Sequence, residues 1–561
     1  MSKFTVFSKI TIVLFLLHSI NSGNNNQLPL ETVLLGKFDQ TNPSCDCWAY
    51  DWVNGSQANA ITNGSQEIVV AILDTGVDYR YPEIQAALWK RPSNSSEFGW
   101  NFVENNAIPF DNVSHGTFIA SLIIGLGANS VNDSGKTLPG IAPNVRIMPL
   151  RILAQERGDS GESIEAFVNA VRYAVDNGAR VISMSISWDD FPVSVHEVLN
   201  WAYFKGVLIV GVTGNKADEK IDITDLGKLP EVIAVGASTQ KGEKTNFSQY
   251  GPSTEILAPG ENITGADLLN AGRVSALSVN GSSYYSVPLE YSQTTTSPVQ
   301  SSIVYVGLAR NEDLEGLDIS GKIALIRRGE IFFREKVANV HQKGAIGAII
   351  ANNQSGLFSG TLIEPSAIPA IAISGEDGDT LIDSVAKSIL SLGIVEVRPS
   401  NLSIGSGTSF AAPLVSATAA LMFSVNPELS NLEARLILQR TASDIYDQGR
   451  DYLSGFGILN SSYAVEAAKD DSPPIANISN IPDGENTIIS VNAYDDIGVF
   501  KLDFAYQGTD GNLIRNITNF KSRTNHFLQE YFVPFPNGLF SYYVAIEDIR
   551  GLRFLSKEGN I

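Results

Sequence analysis

Residues 407–423 constrain this chain more than any other stretch. Gly407-Thr408-Ser409-Phe410-Ala411-Ala412-Pro413 runs straight into Leu414-Val415-Ser416-Ala417-Thr418-Ala419-Ala420-Leu421-Met422-Phe423, without one charged residue. Such a run reads as a helix buried on all sides, and its small residues let it pack tightly under a site. A serine at the mouth of that helix stands beside backbone N–H groups with no intrahelical acceptor and the positive end of the helix dipole, where an oxyanion is stabilised. Taken alone, Thr408-Ser409 is equally an ordinary helix cap, since both residue types are favoured there.

A serine hydroxyl becomes a nucleophile when a base takes its proton, and histidine is the usual base. The chain has five histidines. His18 lies in an N-terminal apolar stretch, and His196, His341 and His526 sit in mixed polar surroundings. His115 instead follows Ser114 and opens the apolar run Gly116 to Ile124, at the start of a second helix. The imidazole needs an orienting group. Glu67-Ile68-Val69-Val70-Ala71-Ile72-Leu73 reads as a continuous buried strand that ends in Asp74-Thr75-Gly76. Sites in parallel α/β sheets form at the carboxyl ends of strands, which is where Asp74 falls.

The flanking pattern supports such a sheet. Strands are predicted at Glu67 to Leu73, Arg146 to Leu153, Arg180 to Ile186, Val207 to Val212 and Val232 to Gly236. Between them, Ile164, Phe167, Val168, Val171, Ala174 and Val175 recur at helical spacing from Ser163 to Asn177, and Gly178 is a stop. Alternating strands and helices predict a doubly wound parallel sheet of the α/β class.

Asp74-Thr75-Gly76, His115-Gly116-Thr117 and Gly407-Thr408-Ser409-Phe410-Ala411-Ala412-Pro413 resemble, in that order, the three signatures of the subtilisin-like serine proteases, the subtilases. Gly140 to Arg151, Val232 to Ala237, Phe247 to Gly251 and Gly455 to Asn460 are similar to connecting segments of that family. The resemblance implies a subtilisin-like catalytic domain at 51–265 and 400–469, with Asp74, His115 and Ser409 as a triad that cleaves protein or peptide substrates through an acyl-enzyme. It also implies an oxyanion-hole amide on Asn215, in Thr213-Gly214-Asn215-Lys216. An amide suits that place because it donates without titrating. An asparagine after glycine is also a common turn residue.

By the same resemblance, Ser185, Ile186, Ser187 and Gly214 would bind substrate, the peptide lying beside the strand that runs from Val181 to Trp188. Ser187 and Trp188 stand where the family usually has glycine. Their volume predicts a narrowed pocket that takes small or medium aliphatic side chains. The chemistry implied needs no cofactor. Calcium is open as a structural ion, since many relatives bind it, and no loop has the acidic spacing of an EF-hand.

The catalytic stretch is interrupted. At 266–399, the segments Gly321 to Gly329, Glu335 to Val340 and Gly344 to Asn352 read as strand, helix, strand and resemble the protease-associated domain inserted in some subtilases. Arg327 and Arg328 there would steer substrates or form a solvated edge. Beyond Asp470-Asp471-Ser472-Pro473-Pro474, alternation at Phe500, Leu502, Phe504 and Tyr506, a turn at Asp510-Gly511 and a β-prone run from Phe540 to Ile546 predict an immunoglobulin-like β-sandwich at 475–561.

The formal net charge of −21 argues against a phosphate-binding role, so no nucleic-acid partner is expected. Lys3 and Lys9 precede Ile10 to Leu17, an apolar run about 12 Å long as a helix, short of a bilayer core of about 30 Å. Residues 1–22 therefore read as a signal peptide. The mature protein is expected to be secreted or associated with the cell surface, with no stable membrane span. A lead-in is expected at 23–50, and the interval between the signal peptide and Asp74 is short for the pro-domain usual among subtilases. Cys45-Asp46-Cys47 lacks the second pair that a zinc site needs. Sequons at Asn54, Asn94, Asn262, Asn353 and Asn516 are candidate glycan acceptors, and Asn112-Val113-Ser114 adjoins His115.

Three other readings are weaker. Pepsin-like aspartic proteases share Asp-Thr-Gly but need two such carboxylates, and the near copies Asp133-Ser134-Gly135 and Asp159-Ser160-Gly161 lack a preceding apolar strand. Sedolisins carry a glutamate where His115 stands. A non-catalytic secreted binding or adhesion protein on a subtilase-like core would not need Asp74, His115, Asn215 and Ser409 intact.

Overall fold

The computed structural model describes residues 47–561 apart from 132–136, 155–163, 218–221, 355, 359, 388–390, 448, 484–485, 496–497, 508–511, 521–524, 534–540, 556–558 and 561. The predicted signal peptide, most of the predicted lead-in with Cys45, His18, both Asp-Ser-Gly copies, the predicted turn at Asp510-Gly511 and Phe540 lie outside the described residues.

Strands β1 (Val69–Asp74), β2 (Trp100–Asn101), β3 (Arg146–Arg151), β4 (Val181–Met184), β5 (Leu208–Val212), β6 (Val232–Ser238) and β7 (Ile256–Pro259) form one seven-stranded sheet. Its order is β2-β3-β1-β4-β5-β6-β7, and every pairing is parallel. The five predicted strands are β1, β3, β4, β5 and β6, each within two residues at its ends. Successive side chains of a strand point to opposite faces, so covering both faces requires an unbroken apolar run. In β1, Val70 and Ile72 enter one core, whereas Ala71 and Leu73 enter the other.

The first core contains helices α1 (His115–Ile124) and α4 (Thr408–Val425), and the second contains α2 (Ile164–Asp176) and α3 (Val193–Phe204). Helix α4 is buried from Phe410 to Phe423 without a break. Helix α4 is long and apolar enough to cross a membrane by length and hydropathy alone. Its apolarity serves packing under the sheet, since 83% of the helix is buried in the protein. Helices α5 (Asn431–Thr441) and α6 (Ser461–Lys469) pack against this layer.

The insertion leaves and returns through an antiparallel stalk, Ile263–Ala266 against Leu402–Gly405, with Ile263 opposite Gly405. Beyond it an eight-stranded sheet includes the parallel strands Ile323–Arg327, Gly347–Ala351 and Ala370–Ile373, with helices Phe333–Gln342 and Gly375–Ala386. Both arginines singled out there are committed within the insertion. Arg327 donates to the Asn352 carbonyl at 3.1 Å and pairs with Asp379, and Arg328 donates to Asn352 Oδ1 at 3.0 Å while lying over the Phe358 ring. The C-terminal region is a two-sheet β-sandwich. Ile475–Asp483, Asn486–Tyr494 and His526–Val533 form one sheet, and Val499–Gln507, Leu513–Asn519 and Ser541–Asp548 anchor the other.

Candidate active site

Asp74 is the last residue of β1 and only 1% exposed. Its carboxylate meets the His115 imidazole, with Nδ1 at 2.8 Å from Oδ1 and 3.0 Å from Oδ2. Thr75 N donates to Asp74 Oδ1 at 2.7 Å, and Gly116 N donates to Thr75 Oγ1 at 2.9 Å, so the strand end and the helix start are stitched together. The Gly116 position admits no side chain, because a Cβ there would lie 2.1 Å from the Gly76 carbonyl oxygen. Glycine lets α1 approach the end of β1 closely enough for the carboxylate to reach the ring.

The start of α1 is held by a residue that sequence reasoning missed. Asp111 is wholly buried; its Oδ1 accepts from Val113 N and Ser114 N, and its Oδ2 accepts from Thr117 N at 2.9 Å and Thr117 Oγ1 at 2.6 Å. Burial pushes the Asp111 carboxyl up, against the pull of those four donors. Ser114, just before His115, has φ +95°, a strained conformation that this cage sustains. An aspartate shortly before a helix start was the available signal.

Ser409 is the second residue of α4. Its hydroxyl lies 3.3 Å from the Ser185 carbonyl oxygen, which accepts from it, and the Ser185 hydroxyl donates to the Ser409 carbonyl at 2.8 Å. The ring of the next residue, Phe410, packs 5.8 Å from His115 and 4.3 Å from Phe118, both on α1. The starts of the two buried helices therefore meet, with the residue after Ser409 packed on the His115 ring.

Asn215 follows β5. Its side-chain oxygen accepts from Thr408 N at 2.8 Å and from Thr408 Oγ1 at 2.9 Å. Two donors on one atom identify it as the oxygen and leave Nδ2 as the donor beside the start of α4. Gly214 sits at φ +107°, a backbone conformation that favours glycine, and a Cβ there, 2.2 Å from Gln249 Oε1, would displace that atom. Gln249 braces the loop from behind: its N–H donates to the Gly214 carbonyl at 2.9 Å and its Oε1 accepts from Lys216 N at 3.2 Å. Thr408 and Gln249 act through contacts between distant segments, which local sequence patterns do not display.

Ser185, Ile186 and Ser187 leave the end of β4; the first two are buried and Ser187 is exposed. Trp188 is placed differently from its expected position at a pocket mouth. Its ring packs edge-on against Phe167 of α2 at 5.6 Å and against Phe191 at 6.3 Å, on the outer core. Apolar surface there offers the indole more burial than a solvent-facing rim. The other described histidines with side-chain contacts meet other partners, His196 facing Glu231 at 3.4 Å and His526 facing Asn492 at 2.7 Å.

A profile of the Subtilase family matches residues 65–303 and 338–457, more than half of the chain. The chain belongs to the subtilase family. A PA domain profile matches residues 291–381, within the insertion. Among curated relatives, this subtilase is 34% identical over 203 residues to the Thermophilic serine proteinase of Bacillus sp. (strain AK1), covering 36% of this chain and 46% of that protein. It is 26% identical over 359 residues to the Minor extracellular protease Vpr of Bacillus subtilis (strain 168), covering 62% of this chain and 39% of the relative. The alignments thus span less than half the length of either relative. In fold it is similar to Apa1, a psychrophilic subtilisin-like protease from Pseudoalteromonas sp. AS-11, at TM-score 0.53 and 24% identity, over 76% of this chain and 99% of that one.

Proposed function

We propose that this subtilase is an exported serine endopeptidase acting through an acyl-enzyme on Ser409. The observation that carries the reading is the Asp74–His115 couple, 2.8 Å apart, at the mouth of the helix whose second residue is Ser409. Asp74 holds Nδ1–H, which leaves the other ring nitrogen as the base. That nitrogen takes the Ser409 proton as Oγ attacks the scissile carbonyl. The tetrahedral oxyanion receives hydrogen bonds from the Ser409 N–H at the start of α4 and from Asn215 Nδ2. Collapse breaks the C–N bond, and the imidazolium gives its proton to the leaving amine. Water, deprotonated by the same histidine, then releases the acid and restores Ser409. No step calls on a cofactor.

Ser185, Ile186, Ser187 and Gly214 are assigned to the substrate's backbone and the side chain before the cut bond. The extended segment after β4 suits an added strand, and Ser409 Oγ already sits against its carbonyl. Export rests on the leader pattern at 1–22, and the name of the extracellular relative agrees with it. Labelling by a fluorophosphonate, together with turnover of a denatured protein substrate, tests the reading. Both are expected in the native chain and lost in Ser409→Ala. Turnover that survives the substitution would sink it, and an unlabelled, inert native chain would favour a binding protein on a subtilase core.

A further inference from the structure

Asp470, Asp495 and Asp548 come from three distant points of the chain and meet where α6 gives way to the β-sandwich. Asp470 caps the end of α6, Asp495 follows the strand Asn486–Tyr494, and Asp548 closes the strand Ser541–Asp548. They are 9%, 3% and 0% exposed. One oxygen from each lies within 4.8 Å of the others. Oxygens around one Ca2+ stand at about 2.3–2.6 Å from it, so no two of them can be more than about 5 Å apart. The cluster fits that limit.

Each carboxylate is aimed by backbone groups of its own segment. Ser472 N donates to Asp470 Oδ1 at 3.0 Å, Gly498 N to Asp495 Oδ1 at 2.7 Å, and Gly551 N and Leu552 N to Asp548 Oδ1 at 2.7 and 2.8 Å. The observation that points to a ligand is the second oxygen of Asp548. Oδ2 is buried, belongs to a residue with no exposure, and accepts from no donor. A buried carboxylate oxygen without a donor, on a residue grouped with two more carboxylates, calls for a cation. Arg550, in the same turn, directs an Nη to the Asp470 backbone carbonyl, and its Nε is buried without an acceptor.

We propose that Asp470, Asp495 and Asp548 bind a divalent cation of the Ca2+ class, completed by carbonyl or water oxygens, and that the ion pins the β-sandwich to the α/β domain. The donor set is all oxygen and formally trianionic, which suits a hard cation and not a thiophilic one. The same strand end already carries a second clasp. Arg440 of α5 donates to Glu547 Oε1 at 2.7 Å and to the Ile549 carbonyl at 3.2 Å, and lies 4.4 Å over Phe500.

The test is equilibrium dialysis of the full-length Ser409→Ala protein, which cannot digest itself, against radiolabelled Ca2+ after chelation. Asp470→Asn and Asp548→Asn in that background are each expected to bind one equivalent fewer than their parent. Comparing equivalents subtracts calcium held elsewhere. Ca2+ is also expected to raise the melting temperature of the parent more than that of either variant. A parent that binds no Ca2+ at millimolar concentration overturns the proposal, as does an unchanged stoichiometry in a variant with native circular dichroism. Should Asp548→Asn fail to fold, Asp470→Asn carries the comparison.

Discussion

The Ser185 hydroxyl donates at 2.8 Å to the carbonyl oxygen of Ser409, an acceptor that Pro413 leaves without its helical donor. Proline at that point of α4 has no N–H to return to the residue four before it. The Ser409 carbonyl would otherwise be left unsatisfied. Ser185, just past β4, supplies the hydrogen bond, and so fixes the mouth of α4 against the segment assigned to substrate. Ser185→Ala is expected to cost about 1–3 kcal/mol in denaturant unfolding. In a Pro413→Ala background the restored N–H takes over, so the same substitution there should cost much less. Equal costs in both backgrounds would show that the two features are independent.

Asn215→Ala is expected to leave KM near its native value and lower kcat by about 10² or more, because in the proposed mechanism the amide acts on the developing oxyanion. Thr408→Val removes one of the two donors that fix the amide's orientation and should lower kcat in the same direction by a smaller factor. Steady-state kinetics on a chromogenic peptide decides. An unchanged kcat in Asn215→Ala would reduce that residue to a turn.

Asp111→Ala strips four donors at the start of α1 of their acceptor. Loss of such a cap costs about 1–2 kcal/mol. The residue does not touch the reacting atoms, so its effect on catalysis must come from a loosened His115. The expected signature is reduced fluorophosphonate labelling rate at full folding, with Asp111→Asn partly restoring it. A labelling rate that tracks only the folded fraction would make Asp111 purely structural.

Lys336 is wholly buried in the insertion, where its Nζ donates to the Leu308 carbonyl at 2.7 Å. Burial pulls its pKa down to about 8, against the opposing pull of Asp313 and Glu330. The folded chain therefore holds the proton less tightly than the unfolded chain, and the burial penalty is present in full below about pH 8. Above that the penalty is relieved, and the insertion should gain up to about 1.4 kcal/mol per pH unit until the unfolded lysine also titrates. Lys336→Met should abolish this gain. Hydrogen exchange in the strands Ile323–Arg327 and Gly347–Ala351, followed from pH 7 to about 10 and corrected for intrinsic rates, reads it directly; parallel profiles in native and variant would refute it.

With the Trp188 ring turned onto Phe167, any narrowing of the substrate pocket rests on Ser187 alone. Ser187→Gly should then admit Phe and Tyr before the cut bond, where the native chain is expected to take small or medium aliphatic residues. A peptide library read by mass spectrometry compares the two. Strong native cleavage after aromatic residues would refute the narrowing.

The amino-acid sequence by itself determined the α/β class and the five central strands. A parallel sheet buried on both faces demands unbroken apolar runs such as Val69–Leu73 and Val232–Ala237, and few other structures tolerate them. It also determined Asp74, His115, Asn215 and Ser409 as candidates, because each sits at a strand end or helix start whose local chemistry is legible in a few neighbours. Tertiary structure alone decided which distant groups those residues would meet. Thr408 fixing the Asn215 amide, Ser185 answering the acceptor freed by Pro413, Trp188 turning to the outer core and three scattered aspartates converging beside α6 are all pairings across long stretches of chain. Their partners are chosen by packing and by the need to satisfy buried polar groups, and no local pattern encodes that choice.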